Sequence, residues 1–269
     1  MSHEADFSFL DRQDLLEIIF PIAYSPLYML TGVFNPSLSK TATRFIEVED
    51  GVRIGCGFWP TGKECPTILY FHGNGETAGI HDWIAPYYNQ RKINLFVTDF
   101  RGYGSSGGKP TITNMFQDTH IILQGFKGVL KNEGYAEKYF VMGRSLGSLP
   151  ALEVAFHHQD EFGGLIIESG TSSSFRPLWG YLGKTERDII ENSDFQNKVK
   201  IRSVNRPTLI IHGENDQIIP VQEGKELYEN SAARDKRLLI IPGADHNDVM
   251  VVRQAEYFQA IEDLVTAYS

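Results

Sequence analysis

Two stretches of this sequence have the spacing G-x-S-x-G: residues 104–108, centred on Ser106, and residues 143–147, centred on Ser145. A serine held that way becomes a nucleophile when a strand runs straight into a tight turn and then a helix. The turn strains the serine backbone and leaves no room beside it for larger side chains, which explains the glycines. Ser106 comes several residues past its strand and is followed by Pro110, so it does not meet that requirement. Ser145 follows Tyr139-Phe140-Val141-Met142 directly, and Leu146 to Leu152 opens a helix in which Pro150 is tolerated in the first turn. Ser145 is the candidate nucleophile.

A hydroxyl is a weak nucleophile at neutral pH and needs a base, itself oriented by an acid. In this architecture the chain order is serine, acid, histidine. Downstream of Ser145 stand His157, His158, His212 and His246. His157 and His158 lie about 18 Å along the same helix, out of reach. His212 ends a strand and reads as a core residue. His246 lies in the loop after Ile240-Ile241-Pro242, and Asp216 lies in the loop after Leu209-Ile210-Ile211-His212. Ligands of open parallel sheets bind outside the carboxyl ends of the strands, and Ser145, Asp216 and His246 all fall at such ends. Glu214 shares the loop of Asp216. Asp245 and Asp248 flank His246 and read as solvated or structural. Glu168, at the end of another strand, is the alternative acid.

Acyl transfer also needs donors for a developing oxyanion. The backbone N–H of Leu146, at the start of its helix, is one candidate. The other is the N–H of Asn74 in Phe71-His72-Gly73-Asn74-Gly75, with His72 read as a buried brace for that loop. Residues 102–107 also spell G-x-G-x-x-G, but Lys109-Pro110-Thr111 follows instead of a helix opening within the motif. A dinucleotide site needs that helix and an acidic residue after the next strand. The motif reads as a glycine-rich loop, and the chemistry calls for no organic cofactor and no metal.

These residues need a scaffold that brings strand ends together. Segments rich in β-branched and aromatic residues fall near 43–48, 52–59, 67–71, 93–98, 139–142, 164–168, 208–212 and 237–241. The first two flank Glu49-Asp50-Gly51, predicting an antiparallel hairpin. The later ones are nearly continuous apolar runs, as in parallel strands covered on both faces. Met115, Phe116, Thr119, Ile122, Leu123, Phe126, Val129 and Leu130 recur at helical spacing, as do residues within 146–156 and 257–264. The expectation is an α/β fold: a mostly parallel eight-stranded sheet with helices on both faces. Residues 170–207 interrupt the alternation at a length that predicts a lid, with Phe175, Trp179 and Tyr181 as candidate lining or packing residues.

Residues 18–39 carry no charge, but Pro21, Pro26 and Pro36 interrupt them; a spanning helix needs about 20 predominantly apolar residues. Glu4, Asp6, Asp11 and Asp14 are not the basic start of a signal peptide. Residues 1–41 are therefore read as a helix and arm packed on a domain of residues 42–269, in preference to a membrane-touching arm. A net charge of −9 argues against nucleic acid as a partner. The two cysteines, Cys56 and Cys65, are too few for a disulfide framework or a four-ligand zinc site and point to a reducing, cytoplasmic setting.

With these residues in view, the chain resembles the α/β-hydrolase superfamily and, within it, the Bem46-like serine hydrolases related to depalmitoylating enzymes. The matching stretches are Phe71-His72-Gly73-Asn74, residues 99–107, residues 143–147, His212-Gly213-Glu214-Asn215-Asp216 and His246-Asn247-Asp248, spread from about residue 45 to the C-terminus. The resemblance implies Ser145 as nucleophile, Asp216 and His246 as its partners, the Asn74 and Leu146 amides as oxyanion hole, and the glycine-rich loop at 102–107 as a family feature. Two departures stand out. Asp245 replaces the glycine usual before the histidine, and the N-terminal segment lacks the cysteine cluster of membrane-associated relatives. The expected activity is hydrolysis of small-molecule carboxylic esters through an acyl-enzyme. Thioester hydrolysis is the nearest alternative, and a silent binding protein on the same fold is the non-enzymatic one.

Overall fold

The structure, a computed structural model, describes residues 8–24, 43–191 and 193–269. Its centre is an eight-stranded sheet with strand order β1-β2-β4-β3-β5-β6-β7-β8. The strands are β1 (Thr43–Glu49), β2 (Val52–Trp59), β3 (Thr67–Phe71), β4 (Asn94–Thr98), β5 (Tyr139–Arg144), β6 (Leu165–Glu168), β7 (Thr208–Gly213) and β8 (Lys236–Ile241). β1 and β2 form the expected hairpin, with Gly51 in the left-handed region at φ 74° and a register shift between Glu47 and Glu49. β2 also pairs antiparallel with β4, and the pairings from β4 through β8 are parallel.

β3, β4, β5, β6 and β7 are buried along their whole length. That is why their sequences run apolar without alternation. Alternate residues feed two cores. On one face Leu69, Phe96, Val141, Ile167 and Ile210 pack with Leu123, Phe126, Leu152 and Ala155. On the other Ile68, Leu95, Met142, Ile166 and Ile211 pack with Tyr88, Tyr257, Phe258 and Ile261.

Six of the helices concern the site. α1 is Gln13–Ile19, α2 Ile112–Glu133, α3 Ser148–His157, α4 Lys184–Glu191, α5 Val221–Asn230 and α6 Gln254–Tyr268. α2 opens with a capping box in which the Thr111 hydroxyl accepts from the Asn114 amide and the Asn114 side chain accepts from the Thr111 amide. It closes on Gly134 at φ 71°.

A third cluster joins Leu10, Leu15, Leu16, Ile19 and Phe20 to Phe100, Tyr103 and Phe116, and to Phe175, Leu178, Leu182 and Ile190 from the 170–207 segment. That segment holds a 3-10 turn at Arg176–Tyr181, α4, and short turns at Asn197–Lys200 and Ile201–Ser203. Phe175 is buried, with its ring 5.7 Å from Phe195 and 6.4 Å from Phe116, while Tyr181 is exposed; of the three aromatics, Phe175 serves packing. Residues 25–42 of the arm, and with them most of the uncharged run, lie outside the described residues. Among the described residues no helix is long and apolar enough to cross a membrane.

Candidate active site

β5 ends at Arg144 and the chain turns at once through a 3-10 turn, Ser145–Gly147, into α3. Ser145 sits at φ 52°, a left-handed conformation that non-glycine residues rarely adopt. Such a backbone costs about 1–3 kcal/mol and persists only where its surroundings enforce it. The neighbouring glycines show how. A Cβ on Gly143 would stand 2.2 Å from the Gly147 carbonyl oxygen, and one on Gly147 would stand 2.0 Å from the Phe71 carbonyl oxygen. Ser145 is therefore pressed between β3 and its own helix, with its hydroxyl at the carboxyl edge of the sheet.

The structure brings the three sequence-derived residues together at that edge. Ser145 Oγ lies 2.9 Å from His246 Nε2, and His246 Nδ1 lies 2.7 Å from Asp216 Oδ2. All three are buried. Asp216 is held from several sides: its Oδ1 accepts from the Ile218 and Ile219 amides at 3.0 and 2.8 Å. Burial alone would raise its pKa, but hydrogen bonding from His212, His246 and the Ile219 amide outweighs it, so the carboxyl stays well below the usual range. The group facing the imidazole is a carboxylate.

Ser106 is elsewhere. Its hydroxyl accepts from the Gly55 amide at 2.9 Å, and the Gly107 amide donates to the Arg53 carbonyl at 2.9 Å, so the glycine-rich loop is stitched to β2. The loop wraps the Asp99 carboxylate, 2.2 Å from where a Cβ on Gly104 would be. His72, fully buried, lies 3.2 Å from Asp99, as expected of a brace. Glu168 is occupied by the Arg144 guanidinium at 3.2 Å and the Tyr257 hydroxyl at 2.6 Å. Glu214 accepts from the Gly243 amide, Asp245 from the Asn247 amide and Asp248 from the Asp245 amide. These acids shape the two loops.

The candidate oxyanion amides flank the serine. Leu146 is the second residue of the 3-10 turn, directly after the serine. Gly73, whose added Cβ would come within 3.4 Å of Ser145 Cβ, brings the Asn74 loop against it. The Asn74 side chain is anchored at both ends: its Nδ2 donates to the Ile19 carbonyl of α1 at 2.9 Å, and its Oδ1 accepts from the Tyr103 hydroxyl at 2.8 Å.

Sequence reasoning missed two positioning residues. Arg144, the variable residue before the serine, donates to the His246 carbonyl at 2.8 Å and to Asn247 Oδ1 at 3.2 Å, while pairing with Glu168 and Glu76. Burial opposes its charge, but the two carboxylates outweigh burial and raise its pKa. Glu76 in turn accepts from the Gly73 amide at 2.9 Å. One guanidinium thus ties the serine turn, the histidine loop and the Asn74 loop together. The second is His212, whose Nε2 donates to the Ile219 carbonyl at 2.8 Å and stands 3.4 Å from Asp216 Oδ2. Its Nδ1 abuts α5 at Gly224, where a Cβ would lie 2.5 Å away. Only their position in a turn and at a strand end marked them in the sequence, and neither signal is specific.

An open sheet of this order with such a serine turn defines a hydrolase of the α/β type. Residues 62–206 and 194–250 match the family described as serine aminopeptidase, S33, and the chain belongs to that family. It is 30% identical over 224 residues to the human alpha/beta hydrolase domain-containing protein 17B, covering 80% of this chain and 72% of that one. It is also 26% identical over 233 residues to the Escherichia coli protein YfhR, covering 84% and 81%. Among solved structures, the Pyrococcus furiosus esterase Pf2001 superposes with a TM-score of 0.67 at 20% identity, over 87% of this chain and 94% of that one. Monoglyceride lipase from Saccharomyces cerevisiae superposes with a TM-score of 0.63 at 18% identity, over 86% and 98%.

Proposed function

We propose that this hydrolase cleaves small-molecule carboxylic esters through an acyl-enzyme on Ser145. His246 Nε2 takes the proton from Ser145 Oγ as the oxygen attacks the ester carbonyl carbon. The tetrahedral oxyanion accepts from the Leu146 and Asn74 amides. The imidazolium, oriented and stabilised by Asp216, returns its proton to the leaving alcohol as the C–O bond breaks. Water, deprotonated by the same imidazole, then releases the acid and regenerates the serine. His246 thus carries each proton in turn: from Ser145 to the leaving alcohol, and from water back to Ser145 Oγ. The observation that carries this reading is the 2.9 Å and 2.7 Å chain from serine to histidine to aspartate. The superposed esterase and lipase accord with it.

The family description names an aminopeptidase, a chemistry that needs free carboxylates to hold a peptide ammonium. The two carboxylates flanking the serine turn, Glu76 and Glu168, are both paired with Arg144, which favours the ester. Residues 170–207 serve as the lid over the acyl pocket, and residues 8–24 pack on the body as its support. Unpaired Cys56 and Cys65 fit a reducing, cytoplasmic setting.

A fluorophosphonate probe tests the mechanism: the wild type is labelled and Ser145→Ala is not. Labelling that survives Ser145→Ala, or an unlabelled wild type, rejects it. Matched p-nitrophenyl and coenzyme A esters of one acyl chain separate oxygen esters from thioesters, with the larger kcat/KM expected on the oxygen ester.

A further inference from the structure

Toward the far end of α3 from Ser145, about 12–18 Å along at 1.5 Å per residue, three potential ligands converge from two helices. His120 Nε2 on α2 lies 3.3 Å from Glu153 Oε1 on α3, and His157 Nε2, one turn further along α3, lies 3.2 Å from the same oxygen. All three donor atoms lie within 4.8 Å of one another. We propose that His120, Glu153 and His157 form a binding site for one zinc-class divalent metal ion, separate from the serine site.

The spacing of the three donor atoms suits such an ion. Zinc holds nitrogen and oxygen ligands at about 2.0–2.1 Å in a tetrahedron, which spaces neighbouring donors by roughly 3.3–3.4 Å. Two of the three edges already have that length. The side chains of His120 and His157 are 37% and 44% exposed, so an ion can enter from solvent and complete its shell with water.

The hydrogen-bond chain behind His120 is one proton short. Glu161 Oε1 faces His158 Nδ1 at 3.0 Å, His158 Nε2 faces His120 Nδ1 at 3.0 Å, and His120 Nε2 faces Glu153 Oε1. Each contact needs one proton between its atoms, and a neutral imidazole carries one. Two imidazoles therefore serve three contacts with two protons. In the tautomers a metal would require, the protons sit on Nδ1 of His158 and Nδ1 of His120. That leaves the His120 Nε2 lone pair against a carboxylate oxygen, and a cation between them turns repulsion into two bonds. The arrangement also supplies the support a ligating histidine needs, since its second nitrogen donates to a fixed acceptor and sets the tautomer.

The remaining oxygen, Glu153 Oε2, is held by Lys200, whose ammonium also lies 4.4 Å over the Phe116 ring. This fixes the carboxylate with Oε1 turned toward the imidazoles. The same charge weakens attraction for a cation, so the site is one of moderate affinity. Lys200 comes from the 170–207 segment, so an ion there would brace α2, α3 and that segment at one point.

Calorimetric titration of tag-free protein with zinc chloride, paralleled by the visible spectrum with cobalt chloride, tests the site. The expected result is one equivalent bound, a melting temperature raised by about 3 °C or more at saturation, and at least tenfold weaker binding in both His157→Ala and His120→Ala. His157 is exposed enough for its variant to fold normally. A wild type that takes up no ion overturns the proposal. So does unchanged affinity in both variants, or a cobalt spectrum carrying thiolate charge-transfer absorption, which would put the ion on Cys56 or Cys65.

Discussion

In the proposed mechanism Asp216 acts on Ser145 without touching it. Its carboxylate faces His246 Nδ1 at 2.7 Å while both lobes are engaged by neighbours, so the imidazole is held with Nε2 free to accept the serine proton. Asp216→Asn keeps the shape but presents the wrong hydrogen-bonding group, and we expect kcat to fall by about 10⁴-fold with KM little changed. Steady-state kinetics on a p-nitrophenyl ester checks this. Ser145, Asp216 and His246 were legible because each stands just past the end of a recognisable strand, and connectivity alone sends those ends to one edge. The duties of Arg144 and His212 were not. An arginine before a serine and a histidine at a strand end acquire partners only when β5, β7 and the loop after β8 are laid side by side. Asp245 illustrates the same limit: the sequence reads it as either solvated or structural, and its side chain receives the Asn247 amide of its own loop.

At the level of elements, the strands were readable and the 170–207 segment was not. Eight apolar runs with turn residues between them reproduce the sheet to within a residue or two. The serine turn is the exception in detail: Ser145–Gly147 is 3-10 and α3 begins at Ser148, because the close passage of Gly147 against β3 tightens the first turn. The 170–207 segment has little periodicity, and one carboxylate gathers the start of it. Glu223 on α5 accepts from the Ser172 and Ser173 amides at 2.9 Å, from the Ser172 and Thr171 hydroxyls at 2.7 and 3.1 Å, and from Arg176 at 2.7 Å. Burial would raise its pKa, but the hydroxyl, amide and guanidinium donors outweigh burial and lower it. A carboxyl depressed in the folded state adds stability above its unfolded value of about 4.3. That stability is lost as pH falls from there through the folded value. Relative to the intrinsic rate at each pH, amide hydrogen exchange across residues 171–176 should therefore accelerate below about pH 4 ahead of the sheet. Glu223→Gln should show the acceleration already at pH 7, together with about 2 kcal/mol or more of lost stability by urea denaturation.

For the molecule as a whole, the third cluster carries the unexpected result. The sequence predicts an N-terminal helix against the body, and residues 8–24 do more than cover apolar surface: the last carbonyl of α1 grips Asn74, and Tyr103 grips its other end. Tyr103→Phe removes one of those grips without opening a cavity. If the proposed oxyanion role of Asn74 holds, kcat should fall several-fold with KM nearly unchanged, because that role acts on the transition state more than on the ground-state ester. Leu15→Ala, at a fully buried position, should cost about 2–5 kcal/mol, measured by urea denaturation.

The Ile19–Asn74 bond also has a practical side. A bulky fusion placed ahead of residue 8, or a bead coupled there, would tug on a short helix whose end is wired to the loop beside Ser145, and the assay would record the handle as well as the enzyme. Tyr268, partly exposed at the close of α6 on the opposite border of the chain, is the safer point from which to hold this protein.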